Sequence, residues 1–198
     1  MRLPCATHPV LGFEHRDDAE RFLGELRKRL AKFGLELHPE KTRLIEFGRF
    51  AARNRERRGE GKPQTFDFLG FTHICGIAKK TGYFVVWRQT IKKRMRAKLQ
   101  ATKAELRERM HDRLANTGKW LQSVVRGYYQ YHAVPGNTPS LGTFRMRLMR
   151  LWRHVIRRRG QQHRPSWKRL GKLFDRWLPR PRVLHPYPDI RFDAMHPR

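Results

Sequence analysis

Three groups of residues in this chain are of a type that does chemistry. Asp17 and Asp18 are adjacent carboxylates, which in another setting hold a pair of metal ions. Here they precede an apolar helical pattern, and negative charge at a helix start is favoured by the helix dipole, so they read as a helix opening. His73 stands two positions before Cys75, yet no second pair follows at metal-ligand spacing, and both read as ordinary strand residues. Cys5 and Cys75 are lone cysteines without a CxxC motif, which argues against a disulfide or zinc ribbon. Gly59-Glu60-Gly61 is too short to cradle a phosphate, and His185-Pro186-Tyr187 carries no assignable role. The third group is arginine. The run FRMRLMRLWRHVIRRRG places Arg145, Arg147, Arg150, Arg153, Arg157, Arg158 and Arg159 around the polar side of one helix, with Phe144, Leu148, Leu151 and Trp152 facing inward. Guanidinium forks suit phosphate oxygens. Solvated helix faces mix signs, whereas residues 141–182 hold 14 basic residues against Asp175 alone.

The whole chain carries the same bias. Its 198 residues include 45 Lys and Arg against 17 Asp and Glu, a formal net charge of +28. Such a charge works against a compact isolated fold and favours a polyanionic partner, nucleic acid above all, because neutralised phosphates release their condensed counterions. The charge is uneven: residues 1–60 hold 14 basic and 10 acidic residues, a balance of +4, and residues 61–198 hold 31 and 7, a balance of +24. Hydrophobic residues make up 38%, enough for a thin core. No stretch reaches the about 18 apolar residues of a membrane span, and no signal-peptide pattern opens the chain, so a cytoplasmic protein is expected.

The elements that must position these residues follow from periodicity. Residues from Leu11 read as the end of a strand. Ala19, Phe22, Leu23, Leu26, Leu30 and Phe33 then predict a helix that closes at Gly34. Leu35 to Leu37 and Leu44 to Phe47 alternate like a small antiparallel element on which that helix packs, and residues 51–63 read as an exposed loop. Phe66, Phe68, Leu69, Phe71 and Ile74 predict one strand and Tyr83 to Trp87 a second, with Gly76 to Gly82 as the hairpin loop. From Thr90 the texture is helical. Ile91, Met95, Leu99, Leu106 and Met110 mark one helix; Trp120, Leu121, Val124, Val125, Tyr128 and Tyr129 mark the next. Pro135, Gly136 and Pro139 break the chain before a third, carrying Leu141 to Val155, and SWKRLGKLFDRWL forms a fourth that ends at Pro179. The Pro-rich tail reads as extended. Trp120, Tyr128, Tyr129, Trp152, Trp167 and Trp177 all lie at core spacing and read mostly as packing.

GLELHPEKTRLIEFG, then FDFLGF, then basic helices, makes a pattern that resembles the C-terminal part of bacterial group II intron reverse transcriptase/maturases. In that family a palm strand and helix lead to a turn of the form L-x-L-x-x-x-K-T, here Leu35, Leu37, Lys41 and Thr42. An aromatic hairpin that grips the primer end follows, matching Phe68, Leu69, Gly70 and Phe71. WLQSVVRGYYQYHAVPGN resembles the thumb and maturase region, and LPRPRVLHPYPDIRFDA is similar to the family's tail. The resemblance spans residues 10–198. It implies an α+β fold: the C-terminal part of a palm over residues 1–89, a helical thumb/maturase bundle over 90–178, and an extended tail over 179–198. The implied partner is structured RNA, above all group II intron RNA, with a primer-template duplex as a further one. Phosphate contacts are expected from Lys92, Lys93, Arg94, Arg96 and Lys98, from Arg126, and from Arg145, Arg150, Arg153, Arg157 and Arg158.

The departure lies near the start. The family's strand Tyr-Ala-Asp-Asp-Phe-Val-Leu-Gly-Phe, laid on this chain, puts Tyr on Cys5, Ala on Ala6, the two aspartates on Thr7 and His8, and Phe on Pro9. Those aspartates hold the magnesium ions of polymerisation in the intact family. Threonine is a weak neutral ligand and histidine a soft one for magnesium, which prefers carboxylate oxygen. The resemblance also implies that the fingers, the first half of the palm and a further metal-binding aspartate would lie upstream of Met1, leaving Lys41 with no departing pyrophosphate to assist. Three alternatives stay open: a polymerase completed by an upstream segment or second chain, a nonspecific basic nucleic-acid binder, and a decayed remnant. No bound metal cofactor and no polymerase activity are expected of this chain alone; primer extension on an RNA template with magnesium is the measurement that checks it, and extension would overturn it.

Overall fold

The computed structural model describes residues 9–79, 81–159, 165–187 and 190. Among these residues the fold is α+β, with six helices and one three-stranded antiparallel sheet. In chain order these are α1 (Arg16–Ala31), α2 (Ala51–Arg57), β1 (Phe66–Phe68), β2 (Phe71–Ile77), β3 (Phe84–Thr90), α3 (Lys92–Glu108), α4 (Leu114–His132), α5 (Thr138–Arg158) and α6 (Trp167–Trp177), with a 3-10 turn at Arg109–His111. No helix among the described residues is long and apolar enough to cross a membrane.

The front of the chain departs from expectation in three places. α1 forms as its periodicity predicts, with Asp17 and Asp18 in the first turn. Gly34 at φ 66° ends it, where Gly34 N–H bonds to Ala31 and Leu35 N–H to Leu30. The flanking segments at 9–13, 35–38 and 42–47, however, carry no strand. A strand needs a neighbour for its backbone groups; here the Lys41 and Thr42 N–H groups fold back to His38 O in a turn. α1 therefore packs on no antiparallel element: Ala19 is its one buried residue, and Phe33 and Leu35 are 71% and 56% exposed. Residues 51–57 are helix, not loop, because Ala, Arg and Glu are strong helix formers. Asn54 and Arg58 tie this helix to Glu46, and Arg58 also pairs with Glu60.

The stretch from Phe66 to Ile74, read as one strand, is two strands joined by a tight turn. Phe68 pairs with Phe71 across Leu69-Gly70. Both turn residues take positive φ, 45° and 83°, the twist that suits a two-residue hairpin. β2 then pairs with β3 from Phe71↔Thr90 to Ile77↔Phe84. Pro139 does not break the chain outside a helix. It stands in the first turn of α5, where its missing N–H costs nothing. Residues 179–187 carry neither helix nor strand, and Ile190 is helical, where an extended tail was expected; the rest of the expected tail lies outside the described residues.

The apolar core belongs to α3–α6. Leu106, Leu121, Val125, Leu141, Phe144, Leu148, Trp152, Phe174 and Leu178 are wholly buried. Tyr128 stacks on Phe144 at 3.7 Å, and Trp152 meets Phe174 at 5.5 Å. α4 and α6 approach closely at Gly118, where an added Cβ would lie 2.7 Å from the Trp177 ring.

One buried amide joins sheet and bundle. Asn137 precedes α5 in the capping position, yet its side chain caps nothing. Instead its Oδ1 accepts from Thr90 N–H at 3.0 Å, and its Nδ2 donates to Thr90 Oγ1 at 2.8 Å and to His132 O at 2.7 Å. Beside it Trp87 fills a slot between two glycines. A Cβ on Gly76 would lie 2.1 Å from Trp87 Nε1, and one on Gly136 would lie 2.7 Å from Trp87 Cε3. Removing the amide strands the buried Thr90 N–H and takes a donor from Thr90 Oγ1 and from His132 O, which still accepts from Val134 N–H. Asn137→Ala is expected to lower stability by about 2–3 kcal/mol, read as a shifted urea midpoint.

Candidate nucleic-acid interface

The first turns of α3 gather charge because burial takes only every fourth residue. Met95, Leu99, Thr102 and Leu106 face the core. Lys92, Lys93, Arg94, Arg96 and Lys98 are all exposed. The expected phosphate-binding set thus wraps the solvent side of this helix, with Lys92, Lys93 and Arg96 on one flank of the buried stripe and Arg94 and Lys98 on the face across it.

The aromatic turn docks against that face. Ile91 N–H donates to Gly70 O at 3.1 Å, which joins the turn to the residue before α3. A Cβ on Gly70 would lie 3.2 Å from Arg94 Nη1 and 3.4 Å from the Tyr131 ring, so only glycine fits comfortably there. Tyr131 locks the arrangement from α4: its hydroxyl donates to Leu69 O at 2.6 Å and its ring stacks on Phe71 at 5.7 Å. Phe68 is half-buried, Leu69 is 65% exposed at the tip, and Gly70 and Phe71 are buried beneath it. Next to this turn, Lys98 together with Ser123, Val124, Gly127, Tyr131 and His132 of α4 lines an open groove of about 360 Å³.

Tyr131 was missed by core-spacing arguments because it lies off the buried stripe of α4, at 50% exposure. That off-stripe position was the available signal: an aromatic on a polar helix face has a partner elsewhere.

The remaining expected contacts divide. Arg126, Arg150, Arg157 and Arg158 are exposed. Arg145 is drawn into the fold: its Nη2 pairs with Asp175 at 2.7 Å and its Nε donates to Leu178 O at 3.1 Å. The Asp175 carboxyl is held below the usual carboxylate range, chiefly by its bond to Arg145. Arg153 is half-buried with its guanidinium 4.5 Å over the Trp167 ring. Lys41 is exposed on the turn after Pro39, and Thr7 and His8 lie outside the described residues. His73 stacks on Phe66 at 4.8 Å, and Cys75 Sγ accepts from Gly48 N–H at 3.3 Å, so both serve packing.

His132 sits where turn, groove and amide junction meet. Its ring touches Phe71, Tyr128 and Tyr131, and Nδ1 lies 3.4 Å from Thr90 Oγ1. Burial, with a smaller contribution from the Arg94 charge, lowers its pKa to about 4.

Comparison with family models, with curated proteins and with solved structures returned no match to this chain.

The low His132 value has a consequence for stability. The unfolded chain takes up this proton near pH 6.5, while the folded chain resists it until about pH 4. The neutral ring therefore contributes fully above pH 6.5, and its contribution is lost as pH falls toward 4. The urea midpoint should drop between pH 7 and 5, before most carboxylates titrate, and His132→Gln should flatten that slope.

Proposed function

We propose that this chain is an RNA-binding fragment of a group II intron-encoded reverse transcriptase/maturase that holds structured intron RNA and assists its splicing. The observation that carries the reading is the docking of the Phe68-Leu69-Gly70-Phe71 turn against Arg94 and Tyr131 at the start of the cationic face of α3. Residues far apart in sequence thereby form one surface with a rigid apolar tip and clustered guanidinium and ammonium groups. Structured RNA is recognised largely through shape and backbone, which such a surface suits better than it suits reading a deep groove.

The chain's part in this mechanism is positional. Lys92, Lys93, Arg94, Arg96 and Lys98 meet backbone phosphates along α3, and Arg150, Arg157 and Arg158 do so along α5, with Arg126 between the sequence blocks. The bond-making of splicing belongs to the RNA. Magnesium serves polymerisation in the intact family, but threonine and histidine at positions 7 and 8 are poor donors for it, and no step is assigned to a metal here.

A second reading is favoured by a specific observation. Phe22, Phe33, Leu35 and Leu44, on α1 and in the segments that follow it, all stay exposed. That exposure fits a palm completed by an upstream segment or a second chain, which would restore a polymerase framework.

A competition titration separates these readings from plain charge attraction. The chain is expected to bind intron RNA from its own locus at least about tenfold more tightly than a size-matched unrelated structured RNA, a difference of about 1.4 kcal/mol. Equal binding that collapses together as salt rises would leave a nonspecific basic binder. Replacing Lys92, Lys93, Arg96 and Lys98 by Ala should weaken binding and reduce the slope of log affinity against log salt by about 3.

A further inference from the structure

Trp167 differs from the aromatics it packs beside. Trp152 and Phe174 are wholly buried, whereas Trp167, the first residue of α6, is 43% exposed. It sits against the most basic helix of the chain. Arg150, Arg153 and Arg157 stand at i, i+3 and i+7 on one stripe of α5, spanning about 10 Å along the axis. The middle one, Arg153, lays its guanidinium 4.5 Å over the Trp167 ring. Its Nε is buried without a hydrogen-bond partner, so the ring is a principal contact of this guanidinium. The Phe174 ring lies 6.1 Å from the indole, tilted by 59°. Arg150 and Arg157 on either side are exposed, as is Lys168. The single acidic residue of this region, Asp175, is committed to Arg145 and Arg180.

We propose that Trp167 is a stacking platform for an unpaired nucleobase of the bound RNA, with Arg150 and Arg157 receiving the phosphates that flank it. An indole with a guanidinium over one face, still 43% exposed and set within an arginine stripe, matches what a flipped-out or bulged nucleotide offers: one π-face between two anionic groups. A paired base has no free face and gains nothing from the site. Stacking of this kind tolerates any base, so the site reads pairing state and not sequence. The inference rests on the RNA-binding reading and adds to it the kind of RNA feature that α5 and α6 select. It uses none of the α3 cations, so the two are separately removable.

The test uses the full chain with two probes, a short RNA duplex and the same duplex carrying one bulged adenosine. The chain should bind the bulged duplex more tightly. Trp167→Ala should weaken binding to the bulged duplex about tenfold and leave the paired duplex unchanged, while Trp167→Phe, which keeps an aromatic face, should stay within about threefold. Circular dichroism of both variants reports whether α6 persists. Equal losses on both probes would overturn the proposal and assign Trp167 to packing on Phe174; no change on either probe would also overturn it, with RNA binding left standing. If the unaltered chain binds neither probe, the RNA-binding reading fails and this inference with it.

Discussion

A single buried carboxamide holds the two parts of this fold in register. Asn137 spends both ends of its side chain on groups drawn from elsewhere: the last residue of β3 and the last residue of α4. An amide is suited to the task because it accepts and donates at once, and the Thr90 N–H it meets would otherwise be buried unpaired. Once those three bonds form, the hairpin cannot slide along the bundle. The Leu69-Gly70 turn is then delivered to the start of α3, Trp87 enters its glycine slot, and the cationic side chains acquire a fixed geometry relative to the aromatic tip. Charge supplies attraction to an anionic partner; the amide makes that attraction directional.

The distribution of charge follows from the same economy of apolar residues. With a thin core confined to α3–α6, the bundle buries one narrow stripe per helix and leaves the rest of each surface to lysine and arginine. Two of the cations drawn inward are matched: Arg145 by Asp175 and a carbonyl, Arg109 by Glu105 and the Trp120 face. Outside these pairs the cations repel one another, and a polyanion relieves that repulsion. Binding and stability are thereby linked, since a ligand that neutralises the surface also favours the folded chain.

Much of the bundle was legible in the sequence, because long helices with one apolar stripe announce themselves by period. α1, α3, α4, α5 and α6 lie where Phe22, Met95, Leu121, Phe144 and Phe174 place them. The front of the chain was less legible. Leu35 to Leu37 and Leu44 to Phe47 have strand texture, but alternation cannot supply the neighbouring strand that would turn texture into sheet. Periodicity alone did not show the Leu69-Gly70 turn, because leucine is an unusual occupant of a left-handed position; the hairpin at Phe68 to Phe71 was expected only from the resemblance. Among site residues, the cations of α3 were visible as a run. Tyr131 and Asn137 were not, since their partners lie 62 and 47 residues away and only the folded chain brings them together.

The segment after Pro179 carries an implication for synthesis. Leu184 N–H and His185 N–H both reach back to Ala133 O, and the His185 ring meets Gln130 O across a separation of 55 residues. These are carbonyls at the end of α4, which a helix cannot satisfy by itself. At a ribosomal pace of about 5–20 residues per second, the exit of α4 precedes its closing strap by several seconds. During that interval the helix ends are open and the surrounding cations are exposed beside the RNA-rich ribosome surface. Closure of the end of α4 is therefore timed by translation of Leu184 and His185.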